Sequence, residues 1–315
     1  MNCQICLKDS GNKPYHPACL KTLFGSAKVS TNLAATRGDL VREMPRMTQG
    51  FSISGVQIKA QLKVVNEKLE LVDHDGDLIL KPSPESFEYV AENEHLTLTL
   101  MRQVGFEVPP CGLITLQDSH RVFVIRRYDR TADGKRHQED AMQALGIRND
   151  ASDSKYDAAS YSEVLTLTQE RCGTAVAARL LDRLAFSYLV GNDDHHLKNI
   201  SFVLGQPIVL APAYDVLAAS LYNQGCRAMA LKFFPDREPT YHAEMGNGHY
   251  SGSDFVELAS SASLGEKAAA SRIRRLAGRV EKAAPDLIRS SYLPDEMKAR
   301  YQALVSERLL FIGVI

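Results

Sequence analysis

The chain has 315 residues, 44% of them hydrophobic and 24% charged, with a formal net charge of −1 at pH 7. That size gives one large domain or two medium ones, and the composition is that of a globular protein rather than a disordered or fibrous one. Near-neutral charge removes any electrostatic reason for nonspecific binding to nucleic acid or a membrane surface, and neither a signal-peptide core nor a run of about 18 apolar residues occurs, so a cytoplasmic protein is expected.

Residues 1–50 read as a polar, irregular cap. Within it Cys3, Cys6, His16 and Cys19 follow C-x2-C-x9-H-x2-C, two ligand pairs of the kind that close a structural zinc site. A reduced, metal-free cap is the other reading. Cys111, Cys172 and Cys226 are scattered and read as small buried residues, not as a disulfide framework. From residue 51 the pattern turns to strands, "FSISGVQIKAQLKVV", "KLELVD", a turn at Asp75 and Gly76, then "LILKPSP". "DHDGD" resembles a calcium loop, but its glycine is misplaced for one. Apolar residues at helical spacing in "EYVAENEHLTLTLMRQVG" predict a helix ending on Gly105, and "CGLITLQ" and "RVFVIRRYD" are two further strands. Segment 51–127 is therefore predicted as an α+β unit of mixed β-sheet and 128–315 as a mainly helical one. The exception in the second is "ISFVL" and "PIVLA", a β-hairpin around Gly205 and Gln206. The basic "SRIRRLAGRVEK" reads as a solvated helix face.

An antiparallel hairpin returns the chain to where it left. Asp215, after the second strand, is thus expected beside Asn199 and the "DDHH" cluster that precede the first. Convergent carboxylates at the border of a core lose hydration and need compensation. A hard divalent cation supplies it, and an Asn amide oxygen with an Asp carboxylate suits Mg²⁺. Asp194 then remains as a base, with His196 and Lys198 as supporting donors. A solvated loop and an Asp/His metal-dependent phosphohydrolase centre are the competing readings. Spacing favours phosphoryl transfer: an Asp, an Asn five residues on, and a metal-binding Asp past a hairpin match the parts of a kinase catalytic loop.

The upstream unit contains candidate nucleotide contacts. Ser52, Ser54, Gly55, Gln57 and Lys59 lie between two strand segments where a phosphate-covering loop would sit, and Lys81 ends an apolar strand. Glu92 or Glu94 on the following helix is placed to pair with Lys81, as the helix glutamate of a kinase pairs with its strand lysine. Arg126 to Tyr128 form a candidate hinge, offering backbone groups to an adenine.

"SISGVQIKAQL", "LILKPSP", "AENEHLTLTLMRQVGFEVP", "FVIRRYDR", "HQEDAMQ", "GNDDHHLKNISFVL" and "LAPAYDV" occur in the order and spacing of the HipA family, the serine/threonine kinases of bacterial toxin–antitoxin modules, across roughly residues 45–225. The chain most resembles the short HipT-type members. The resemblance implies a two-lobed kinase fold related to phosphatidylinositol kinases, with ATP and Mg²⁺ as cofactors. Carried over by motif, Asp194 is the base, Asn199 and Asp215 bind metal, Lys81 holds phosphates, and Ser52 or Ser54 is the autophosphorylation site. It further implies a DNA-binding HipB-like antitoxin, through which alone DNA is contacted, a HipS-like small protein, and an aminoacyl-tRNA synthetase as substrate. An inactive kinase-fold repressor subunit is the alternative, and the intact Asp194, Asn199 and Asp215 set argues against it.

Overall fold

The computed structural model describes residues 1–43, 52–53, 55–56, 59–131, 133–148, 154–222 and 228–315. The chain divides into two compact units, Met1–Ala132 with Asp286–Lys298, and Asp133–Pro285 with Ala299–Ile315.

The first unit opens with helices α1 (Pro17–Phe24) and α2 (Arg37–Glu43), followed by two short paired strands, β1 (Ser52–Ile53) and β2 (Gly55–Val56). Proline at the first turn of α1 and Gly25 in the left-handed region (φ 87°) fix where that helix begins and ends. Strands β3 (Ala60–Val65) and β4 (Lys68–Val72) form a hairpin whose turn residues, Asn66 and Glu67, both have positive φ, matching the twist of the flanking strands. Strand β5 (Leu78–Pro82), helix α3 (Val90–Gln103), and strands β6 (Cys111–Thr115) and β7 (Arg121–Arg126) complete an antiparallel five-stranded sheet of order β4-β3-β5-β7-β6. Strand β8 (Arg130–Thr131) follows.

Residues 1–43 differ from the expected irregular polar cap. Cys3, Ile5, Tyr15, Leu23, Phe24, Leu33 and Leu40 join Leu62, Leu80, Val122 and Val124 of the sheet in one core. Their spacing has no helical or strand period, because many sit in turns and bury one at a time. Each large one contributes on the order of 2 kcal/mol.

Helix α3 is buried from Val90 to Met101, its polar residues included. Glu92 shows the consequence. Burial pushes its carboxyl up to about 7, with Arg121, 3.9 Å away, only partly opposing the shift. The folded chain holds this proton up to about pH 7, whereas an unfolded glutamate releases it near 4.5, so stability falls as pH rises between those values. Glu92→Gln is expected to be near neutral at pH 5 and stabilising by on the order of 2 kcal/mol at pH 8, measured from urea midpoints. A difference that does not change with pH would exclude this titration.

The second unit contains β9 (Gly134–Lys135), β10 (Gln138–Asp140), α4 (Ala141–Ala144), α5 (Ser154–Asp157), α6 (Tyr161–Cys172), α7 (Thr174–Leu189), β11 (Ser201–Val203), β12 (Val209–Leu210), α8 (Thr240–Met245) and α9 (Gly252–Ser261). It ends with α10 (Glu266–Ser290) and α11 (Asp295–Ile312), whose adjoining ends and connecting turn, Asp286–Lys298, belong to the first unit. Capping boxes at Asp140/Gln143, Ser160/Glu163 and Ser251/Asp254 satisfy the first amides of α4, α6 and α9. The expected hairpin forms, with Phe202 opposite Leu210, and gains a third antiparallel strand through Asp140 opposite Ser201. The basic stretch of α10 is not wholly solvated, since Arg272 grips Asp182 of α7 through two hydrogen bonds of 3.1 and 2.6 Å. Among the described residues no helix is long and apolar enough to cross a membrane.

Candidate active site

In the first unit, Lys81 lies on β5 opposite Phe123 of β7, and its Nζ stands 2.6 Å from Glu94 Oε1 and 5.6 Å from the Phe123 ring centroid. Both charged groups are essentially excluded from water, at 4% and 0% exposure. Glu92 and Glu94 are two residues apart on a helix, some 200° around its axis, so only one can face the strand. The structure pairs Glu94 with Lys81 and leaves Glu92 beside Arg121. Ser52 and Gly55 fall in β1 and β2, and Lys59 just precedes β3, whereas Ser54 and Gln57 lie outside the described residues. In the candidate hinge, the backbone N–H of Arg126 donates to Pro110 O and that of Arg127 to Asp77 O, both at 2.8 Å. The Arg126 guanidinium holds the carbonyl of Leu23 near the end of α1. Adenine recognition by those amides requires exchange of existing bonds, and Tyr128 follows them in a turn.

In the second unit, the loop after α7 begins with Gly191 at φ 67°. A Cβ there would meet Ser220 Oγ at 2.2 Å and Leu304 Cδ2 at 2.6 Å, so the chain can turn only with glycine. Asp194 is 8% exposed, and its Oδ1 accepts a hydrogen bond of 2.5 Å from Tyr156. Its carbonyl accepts from the Asn199 side-chain amide and the His196 backbone N–H, each at 2.9 Å. The amide nitrogen of Asn199 is thereby engaged within the loop, and its Oδ1 is the atom suited to a cation.

His195 is buried, with Nδ1 2.8 Å from Ser187 Oγ and its carbonyl accepting from Tyr161. Burial lowers it to about 3, with Arg183 adding to the fall. His196 is likewise lowered to about 3 by burial and then Lys155, while Asp215 opposes the shift. Both imidazoles are neutral near pH 7. His196 Nε2, 3.9 Å from Asp194 Oδ1, is accordingly a neutral neighbour and not an ion-pair partner. Beyond the hairpin, Tyr214 shares a 2.6 Å hydrogen bond with Ser201 and donates to the Lys198 carbonyl at 3.1 Å. Asp215 follows at φ 57°, a left-handed conformation that non-glycine residues adopt mainly where the surroundings enforce it. Tyr156, Ser187, Tyr161 and Tyr214 were not among the sequence-derived site residues. Tyr156 is 38 residues from Asp194 in sequence, and no local pattern links them.

The ligand atoms of Cys3, Cys6, His16 and Cys19 lie within 4.8 Å of one another, the one such group of metal-type ligands among the described residues. The Cys19 thiol is pushed up to about 12 by burial and by the neighbouring sulfurs of Cys3 and Cys6. Burial acts in the same direction on Cys3, but the backbone amides of Cys6, His16 and Ile5 outweigh it and lower the thiol below its ordinary value.

The HipA-like C-terminal domain model matches residues 51–284. A Haemophilus influenzae protein designated a kinase is 32% identical over 285 residues, which cover 81% of each chain. The serine/threonine-protein kinase toxin HipA of Shewanella oneidensis is 25% identical over 211 residues, or 60% of this chain and 48% of the toxin, so the chain spans about half of that relative. Among solved structures, a chain of the Shewanella oneidensis HipA, HipB and operator DNA complex matches with a TM-score of 0.66 at 22% identity, covering 84% of this chain and 64% of that one. The Helicobacter pylori proinflammatory kinase CtkA matches with a TM-score of 0.55 at 14% identity, over 84% and 90% of the two chains. The structural likenesses show a mixed α/β kinase-like fold. The match over residues 51–284, with the relative that is 32% identical, shows the family: this chain belongs to the HipA-like C-terminal domain family.

Proposed function

We propose that the protein is an ATP-dependent serine/threonine protein kinase and the toxin of a HipBA- or HipBST-like toxin–antitoxin pair, resembling the short HipT-type toxins. The observation that carries this reading is the buried 2.6 Å pair of Lys81 and Glu94. Burying two charges is unfavourable unless they do something an apolar pair cannot, and holding an ammonium for nucleotide phosphates is such a task. A dimetal phosphohydrolase does not need that pair. It would also need the Asp/His cluster to converge, and among the described residues no group of three or more such ligands forms there.

In this reading Asp194 takes the proton from a substrate serine or threonine hydroxyl, held in position by Tyr156 and Asn199. Asn199 and Asp215 are the ligands for Mg²⁺, which offsets charge on the transferring phosphoryl group when bound. Lys81 contacts the nucleotide phosphates, Ser52, Gly55 and Lys59 with the adjoining Ser54 and Gln57 contribute the covering loop, and Arg126 to Tyr128 the adenine contacts. His196 and Lys198 steady the loop. Its cofactors are ATP and Mg²⁺, with zinc as a structural ion on the N-terminal cysteines. The proposed partners are a HipB-like DNA-binding antitoxin and a HipS-like protein, and the proposed substrate is a translation component such as an aminoacyl-tRNA synthetase, all within the cytoplasm.

Self-modification at Ser52 or Ser54 has a physical logic, since a phosphoserine adds about −1.5 to −2 charges to a segment that must approach ATP phosphates. Incubating phosphate-free protein with ATP and Mg²⁺ is expected to place phosphate on one of these serines, located by tandem mass spectrometry, and to weaken ATP binding at least about tenfold. Equal ATP affinity of the two forms would remove the regulatory part of this reading, and absence of incorporation the catalytic part.

A further inference from the structure

We infer that Cys3, Cys6, His16 and Cys19 hold one zinc ion in a closed structural centre, and that the knuckle it ties braces helix α3, which carries Glu94. The geometry of the four ligands is the first support. Cys6 Sγ and Cys19 Sγ stand 3.4 and 3.7 Å from His16 Nδ1. A tetrahedral zinc with ordinary Zn–S and Zn–N bonds sets that edge at about 3.6 Å. His16 Nε2 lies 3.0 Å from the carbonyl of Asp9, to which it donates. That bond places the ring proton on Nε2 and leaves the Nδ1 lone pair toward the sulfurs, the outer-shell arrangement typical of a metal-bound imidazole.

The backbone is built to the same end. Leu7, at φ 60°, reverses the chain after Cys6, with its N–H bonded to Cys3 O and the Cys3 N–H bonded to Lys8 O. The second ligand pair stands at the start of α1, with His16 as N-cap and Cys19 in the first turn. An eight-residue helix has little stability of its own, and a metal tie supplies what its length does not.

The knuckle meets the kinase-like sheet and helix directly. Gln4 O accepts from Leu113 N–H on the edge strand β6 at 2.8 Å, and Tyr15 OH bonds both Gln4 Oε1 and Leu113 O. Ile5 packs so closely on Gly112 that a Cβ there would come within 2.6 Å of its side chain. His95 Nε2 donates to Ile5 O at 3.0 Å, from the position next to Glu94. The carbonyl between the first two zinc ligands thus positions the helix that presents Glu94 to Lys81. The link to catalysis rests on the kinase reading; the metal and the brace do not.

The test uses full-length protein without a histidine tag. Metal analysis is expected to give one zinc per chain, and Cys6→Ser with Cys19→Ser to remove it. Hydrogen exchange over residues 90–103 is then expected to quicken at least about tenfold in the zinc-free protein, while residues 174–189 are unchanged. Should the serine variants not fold, zinc content and exchange of wild-type protein before and after strong chelation decide the same question. Less than about 0.1 zinc per chain after growth in zinc-supplemented medium, bound iron, or a disulfide among these cysteines overturns the metal site. Unchanged exchange over residues 90–103 after zinc loss overturns the brace. None of these readouts involves ATP, so failure of the kinase reading would leave them intact.

Discussion

Asp194→Asn is expected to lower phosphate transfer, to the protein itself and to its substrate, by about 10³-fold, within the range a positioned general base contributes. The substitution keeps the side chain's size, and the new amide oxygen can still accept the Tyr156 hydroxyl that now donates to Oδ1. The backbone bonds from Asn199 and His196 end on the carbonyl of residue 194, which the change does not touch. Only the capacity to take a proton disappears. Neighbouring imidazoles offer no replacement, because burial lowers both His195 and His196 to about 3 and leaves them weak proton acceptors. Phosphopeptide quantification beside a melting curve checks this: transfer should collapse while the melting temperature stays close to wild type. Wild-type rates in the variant would end the assignment of Asp194 as base.

Lys81→Ala is expected to act on stability as well as activity. It leaves the Glu94 carboxylate, at 0% exposure, without the ammonium 2.6 Å away. Breaking a buried pair from one side costs about 3–5 kcal/mol, whereas replacing both partners by apolar residues of similar volume is often neutral. The double variant Lys81→Met/Glu94→Leu should therefore recover most of the lost stability, measured by urea unfolding. Phosphate transfer should remain absent in both variants, because neither has an ammonium for the nucleotide. A double variant that regains stability and transfer together would reduce the pair to a structural role and reopen the phosphohydrolase reading.

Much of the fold was legible because its signals are local. The strand runs, the helix that ends near Gly105 and the "ISFVL"/"PIVLA" hairpin each announce themselves by period and by bounding turn residues. What stayed hidden depends on partners distant in sequence. Strand β10 is Gln-Glu-Asp, with no apolar alternation, and becomes a strand only by pairing with β11. Residues 1–43 look irregular since Leu23, Phe24, Leu33 and Leu40 follow no period, yet all are buried. At the site, the hairpin that returns the chain to the loop before it, Tyr214 reaching the Lys198 carbonyl, was readable. The choice between Glu92 and Glu94 was not, because it turns on which side of an all-round buried helix meets β5. Likewise Tyr156 reaches Asp194 only through the folded chain.

The division of the chain bears on the order of its synthesis. The first unit needs residues 286–298 as well as 1–132, and Asn2 is bonded to Ser290 and Tyr292 while Arg121 covers the Tyr292 ring at 4.4 Å. A ribosome must therefore deliver the whole of 133–285 before the unit that emerged first can close. Between those moments the nascent N-terminal segment has its sheet residues but not the piece that seals them. Arg121, which stands beside Glu92 of α3, reaches its finished surroundings only when most of the polypeptide has been made.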